Sequence, residues 1–183
     1  MIRVLALSLM VFIVAVAVAT ADQRDPRLDS LFQRLQETRD PGILHRLEAD
    51  IWAVWLDSGD EAVDALMQEG IRAMRRDDLD TAVEKFGEIT ELAPEFAEGW
   101  NKRATVYYLQ DRLEASVRDI QRTLALEPRH FGALSGMGLI FMKLGDTAGA
   151  LEAFRGVLEV HPHSPSARIH LDYLSQQLKD DVI

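Results

Sequence analysis

The side chains that could carry chemistry in this chain are few, and their spacing suits little of it. There are five histidines, His45, His130, His161, His163 and His170, and no cysteine. Without a thiol there is no sulfur nucleophile, no iron–sulfur cluster and no Cys-ligated zinc, and the fold must hold itself together by packing rather than by disulfides. The nearest thing to a metal set is His161-Pro162-His163 with His170. Pro162, however, closes a helical stretch of which His161 is the tail, so these side chains diverge and read as capping or surface groups. Asp77, Asp78 and Asp80 lack the spacing and the terminal Glu of a calcium loop. They fit a turn and a helix start, where negative charge complements the helix dipole. No phosphate-cradling glycine loop, zincin helix or nucleophile elbow occurs. The expectation is a protein that is not an enzyme and uses no cofactor and no metal.

What positions the remaining residues is a repeat. Gly70, Ala104 and Gly138 stand 34 residues apart, as do Ala82, Ser116 and Ala150. Phe86, Ile120 and Phe154 keep the same step, and so do Pro94, Pro128 and Pro162. A unit of this length cannot bury its apolar face alone, so the copies must stack. Each copy reads as two helices. In residues 63–96, Leu66, Gly70, Ile71 and Met74 share one side of a helix running into Arg76. A turn at Asp77-Asp78 follows, then a second helix from Thr81 to Leu92 with Ala82, Phe86 and Ile89 on one side. Pro94 stops it, since proline lacks the donor and restricts the residue before it. Residues 97–130 and 131–164 repeat the pattern. In the third copy Gly145 suits a helix C-cap and Asp146-Thr147 the next start. The small column lets the first helix approach the second of its own copy, while Phe86, Phe154 and Trp100 fill the space between layers. A glycine inside a helix costs about 0.5–1 kcal/mol, so its recurrence calls for such a contact.

These columns resemble the tetratricopeptide repeat family. The second copy gives Trp100-Ala104-Tyr107-Ser116-Ile120-Pro128, and the third gives Leu134-Gly138-Phe141-Ala150-Phe154-Pro162. The first gives Leu66-Gly70-Ala73-Ala82-Phe86-Pro94, weaker at Ala73. The resemblance implies an all-α fold, an α-α superhelix with helical caps at both ends. The segments Glu98–Thr105 and Pro128–Leu134 are also similar to a group of exported alphaproteobacterial repeat proteins. In the family the first helices line a concave groove, at positions that correspond here to Met67, Ile71 and Met74, then Asn101, Thr105 and Tyr108, then Ser135, Leu139 and Met142. Asn101 matches the asparagine of a family clamp for peptide carboxylates. Met67, Ile71, Gly132 and Gly136 stand at the other clamp positions, so the charges that would hold a carboxylate are missing. The groove is instead an adaptable apolar surface of Met and Tyr.

Outside the register, Leu28, Leu31, Phe32 and Leu35 form one amphipathic stripe and Leu44, Leu47, Ile51, Trp52 and Trp55 the next. Residues 22–62 are expected to be a helical pair, a divergent or capping repeat over the first apolar face of the stack. Exposed Trp52 and Trp55 as a binding pair is the alternative. Either this pair or the last helix, within 165–183, could also fold over the groove. That last helix carries Ala167, Leu171, Leu174 and Leu178 on one side.

Near its start the chain has one basic residue, Arg3, then an apolar run from Val4 to Val18 broken only by Ser8, closing on Ala19-Thr20-Ala21. That reads as a secretory signal, residues 1–21, cleaved after Ala21. An uncleaved membrane anchor is the alternative, and the missing cysteine excludes a lipoprotein. The formal net charge is −10, with 30 acidic and 20 basic residues. No basic block stands out, which argues against nucleic acid and anionic lipid. The expectation is a periplasmic adaptor for a protein or peptide partner in the cell envelope, without stable membrane insertion after cleavage. Self-association into a homo-oligomer through the solenoid faces, and service as an accessory subunit of an envelope enzyme, are the alternatives.

Overall fold

A computed structural model describes residues 25–180 of the chain; the apolar start and its expected cleavage site lie outside that range. The described residues form helices only: α1 (Pro26–Glu37), α2 (Pro41–Leu56), α3 (Glu61–Arg75), α4 (Leu79–Leu92), α5 (Ala97–Leu109), α6 (Leu113–Leu126), α7 (Phe131–Leu144), α8 (Thr147–Val160) and α9 (Pro165–Asp180). None of these is long and apolar enough to cross a membrane.

Three helix pairs, α3–α4, α5–α6 and α7–α8, make the repeats, and each turns in the same way. The backbone N–H groups of Asp78, Arg112 and Asp146 donate back to the carbonyls of Ala73, Tyr107 and Phe141, at 3.0, 2.8 and 2.9 Å. One residue earlier, Asp77, Asp111 and Gly145 adopt φ values of 60°, 60° and 74°. This is a Schellman stop, which takes up carbonyls that the helix end leaves unpaired. The next helix is capped in the outer copies only. Asp78 Oδ1 accepts the Thr81 N–H at 3.2 Å and Asp146 Oδ1 the Gly149 N–H at 2.9 Å. Arg112, in the middle copy, supplies no side-chain cap.

The small column has a partner different from the one expected. A Cβ at Gly138 would stand 2.7 Å from the Phe154 ring, and one at Gly70 would collide with Phe86. The ring of the second helix, rather than the small residue opposite, fills the notch. In the middle copy Ile120 replaces the ring, and Ala104 replaces the glycine. There Ser116 Oγ donates to the Ala104 carbonyl at 2.8 Å. Trp100 also departs from expectation. It is only partly buried, donates Nε1–H to the Pro94 carbonyl at 3.0 Å, and lies under the guanidinium of Arg103, 4.9 Å from its ring. Arg103 in turn grips Asp119 with two contacts, 2.7 and 2.9 Å, and Thr90 Oγ1 at 2.8 Å, tying α4, α5 and α6 together.

The α1–α2 hairpin corrects the expectation of a cap on the first repeat. Leu28, Leu31, Phe32, Leu35, Leu47, Ile51 and Trp55 share one buried core with Phe131, Phe154 and Val157 of the third repeat and with Ala167 and Leu174 of α9. The first repeat has its own core around Met67, Phe86 and Ile89. The hairpin therefore lies across the leading ends of α5, α7 and α9. Its aromatic residues find their counterparts at His130 and Phe131, and two distant ties fasten it. Asp29 pairs with Arg129 at 2.7 Å and Glu48 with His161 at 2.6 Å.

Candidate functional site

The leading end of α5 carries Glu98, fully buried, and that of α7 carries His130, also fully buried. His130 Nδ1 accepts the Ala133 N–H at 3.1 Å and so caps α7. That leaves the proton on Nε2, which donates to Glu98 Oε2 at 2.9 Å. Asn101 Nδ2 donates to the same oxygen at 2.9 Å. Lys102 Nζ stands 2.9 Å from Glu98 Oε1 as an ion pair without hydrogen-bond geometry. Burial alone would push the Glu98 carboxyl up. The His130 hydrogen bond and the Lys102 charge more than offset it, and the group is held below the ordinary carboxylate range.

α2 rests on this network. The Trp55 ring is fully buried and stacks on the His130 ring, 4.0 Å between centroids and 10° between planes. Trp52 stands edge-on to His130 at 5.5 Å, with Lys102 Nζ 5.2 Å from its own ring centroid. Gly132 makes room for it, since a Cβ there would meet the Trp52 ring at 2.7 Å. Cap packing thus describes Trp55, and neither tryptophan is an open binding surface. One end of the groove is occupied by the chain itself.

Beyond Trp52 the groove stays open. A cleft of about 190 Å³ lies between α5 and α7, walled by Asn101, Thr105, Tyr108, Ser135 and Leu139, with Ala104, Ser116, Ile120, Gly132 and Gly136 as floor. Five of the nine positions expected to line the groove meet here. Asn101 is 6% exposed, with its amide NH₂ committed to Glu98 and its oxygen left to the cleft. Thr105 Oγ1 donates to the Asn101 carbonyl at 2.9 Å. Lys143 Nζ sits 5.3 Å from the Tyr108 ring centroid and pairs with Asp111 at 2.6 Å on the rim. The other four positions lie elsewhere. Met67 is buried in the core of the first repeat, with Ile71 and Met74 packed against it. Met142 is half-buried against the core shared with the hairpin.

The residues that sequence reasoning missed are Glu98, His130 and Lys102. Glu98 and His130 are 32 residues apart, off the repeat step, so column arithmetic never pairs them. His161, expected to be a capping or surface group, stands at the C-cap of α8, but it is buried rather than on the surface and contacts Glu48 of α2. Among the described residues no group of His and carboxylates is placed to hold a metal ion. The cleft offers shape, one amide oxygen, hydroxyls and apolar wall, with no nucleophile–base pair. It can receive one apolar side chain by contact.

The comparisons agree with the helical-repeat fold. A tetratricopeptide repeat family model matches residues 67–128 and 111–165. A TPR repeat-containing protein of Rhizobium etli is 35% identical over 83% of this chain and 74% of its own length. Other curated relatives are matched over a third or less of theirs. Among solved structures, the first TPR of Spaghetti (RPAP3) bound to the HSP90 peptide SRMEEVD superposes with a TM-score of 0.61 at 21% identity. It covers 64% of this chain and 93% of that one. MamA gives 0.61 at 20% identity over 78% and 86%.

Proposed function

Because the chain belongs to the tetratricopeptide repeat family, we propose that it is a non-catalytic adaptor of the cell envelope that holds a segment of a partner protein in the α5–α7 cleft. The observation that carries this reading is the meeting of Asn101, Thr105, Tyr108, Ser135 and Leu139 around one open notch. Its volume suits a single apolar side chain of the partner, and Tyr108 gives rigid contact area with one polar handle. The clamp charges are absent at Gly132 and Gly136. Gly132 lies under Trp52, so a carboxylate clamp at that position is blocked by the chain's own hairpin. Hydrophobic contact supplies most of the affinity.

The test is affinity capture from an envelope extract, with the wild type and a Tyr108→Ala variant side by side. Loss of a specific partner with retained folding supports the cleft; equal capture by both excludes it. The envelope location rests on the Ala19-Thr20-Ala21 sequence after the apolar run. Recovery of a periplasmic form that starts at Asp22 supports export, and an intact start at Met1 in the mature pool supports the anchored form. A second reading, pairing of two copies, has its own observation: Ile169 and Tyr173, one turn apart on α9, are 67% and 52% exposed. Sedimentation of wild type against Ile169→Glu separates them.

A further inference from the structure

Where the α1–α2 turn meets the α8–α9 turn there is a cavity of about 460 Å³, lined by Arg39, Pro41, Leu44, His45, Glu48, His163, Pro165 and Arg168. We propose that it is a binding site for a small oxyanion with two or more charges, a phosphate ester or a di- or tricarboxylate.

The charge distribution carries the argument. Two arginines and two histidines converge on one cavity in a chain whose formal net charge is −10. They come from opposite ends of the sequence, so the cluster exists only in the fold. None of the four makes an ion pair with a carboxylate among the described residues. The carboxylate in the lining, Glu48, is engaged by His161 at 2.6 Å. Asp40, beside Arg39, is turned to the Ile43 N–H at 2.9 Å. Arg39 and Arg168 therefore border the cavity with no carboxylate partner among the described residues, and an anion seated between them offsets their charge. Arg168 donates one Nη2–H to the Pro162 carbonyl at 2.8 Å, which ties its guanidinium to the edge of the cavity. Pro41, Leu44 and Pro165 form apolar wall on which the body of an organic anion can rest, and the volume exceeds what a bare ion needs.

Such a ligand bridges the hairpin and α9. Binding adds to the Glu48–His161 tie and stabilises the docked hairpin by mass action. This site is separate from the α5–α7 cleft, and its fate does not depend on that reading.

The experiment is calorimetric titration and thermal melting of the full chain with inorganic phosphate, glycerol phosphate and citrate, against chloride at matched ionic strength. Expected are saturable binding and a raised melting temperature with at least one of the three. Arg39→Gln and Arg168→Gln each weaken that binding roughly tenfold, the size of one lost charge-assisted contact. Arg155→Gln, on the exposed side of α8, and Tyr108→Ala leave it unchanged. Preference for the phosphates or for citrate assigns the ligand class, and either supports the site. No binding beyond chloride overturns the proposal. So does binding unchanged in a folded Arg39→Gln/Arg168→Gln variant, which marks an adventitious ion only.

Discussion

Glu98 is a buried carboxylate kept ionised by its neighbours, and that makes it a source of acid sensitivity. Its carboxyl lies below the ordinary range in the fold and returns to it, about 4.5, on unfolding. The stabilisation is therefore present in full above that value and is lost as the pH falls from there through the lower folded value. Glu98→Gln is expected to cost about 1–3 kcal/mol at neutral pH and to flatten the decline of stability between the ordinary range and more acidic conditions. Denaturant midpoints across that range check it, and a decline as steep as wild type assigns the sensitivity elsewhere. The notch beside Phe154 offers a second test. Gly138→Ala should destabilise by about 1–3 kcal/mol, since the ring 2.7 Å from the new methyl has to move. Adding Phe154→Ile recreates the Ala104–Ile120 pair of the middle repeat. The double variant should be more stable than the sum of its two single effects, as chemical denaturation of all three will show.

At the level of elements, the left-handed residue at each repeat turn sets a ranking. Gly145 tolerates φ of 74° freely, while Asp77 and Asp111 hold 60° against their own Cβ. Asp77→Gly should stabilise by up to about 1 kcal/mol and Gly145→Ala should destabilise by about as much; opposite signs in thermal melts are the expected result. These turns, the repeat pairs and the helix bounds were legible because each depends on residues close in sequence, the Pro94 column and the Gly145-Asp146 stop among them. The seat of the hairpin was not. Its amphipathic stripes showed that α1 and α2 must bury one face, and Trp52 and Trp55 showed where, but nothing local says which surface receives them. That answer depends on a carboxylate and a histidine from different repeats, and on a missing Cβ at Gly132. The same limit hid the cleft's true membership. Met67, Asn101 and Ser135 share a column, yet Met67 is sealed in the first repeat while the other two wall the notch.

For the whole molecule, the groove is half filled from within and half open. Trp52→Ala should widen the open part at Gly132, and partner capture should strengthen or broaden if the hairpin limits access. Because the cleft wall is mostly apolar, capture should change little between low and physiological salt, whereas contacts made by the acidic outer surface would weaken. Two ties of the hairpin span 100 and 113 residues, Asp29 to Arg129 and Glu48 to His161. The repeats can close on short-range contacts, but the hairpin, made before the repeats during synthesis, has its full seat only once α9 exists. Its order of assembly thus runs against its order of synthesis. Until His130 and Phe131 are made, Phe32, Trp52 and Trp55 lack these ring partners, and a chain stopped before His130 carries a sticky, unfinished hairpin.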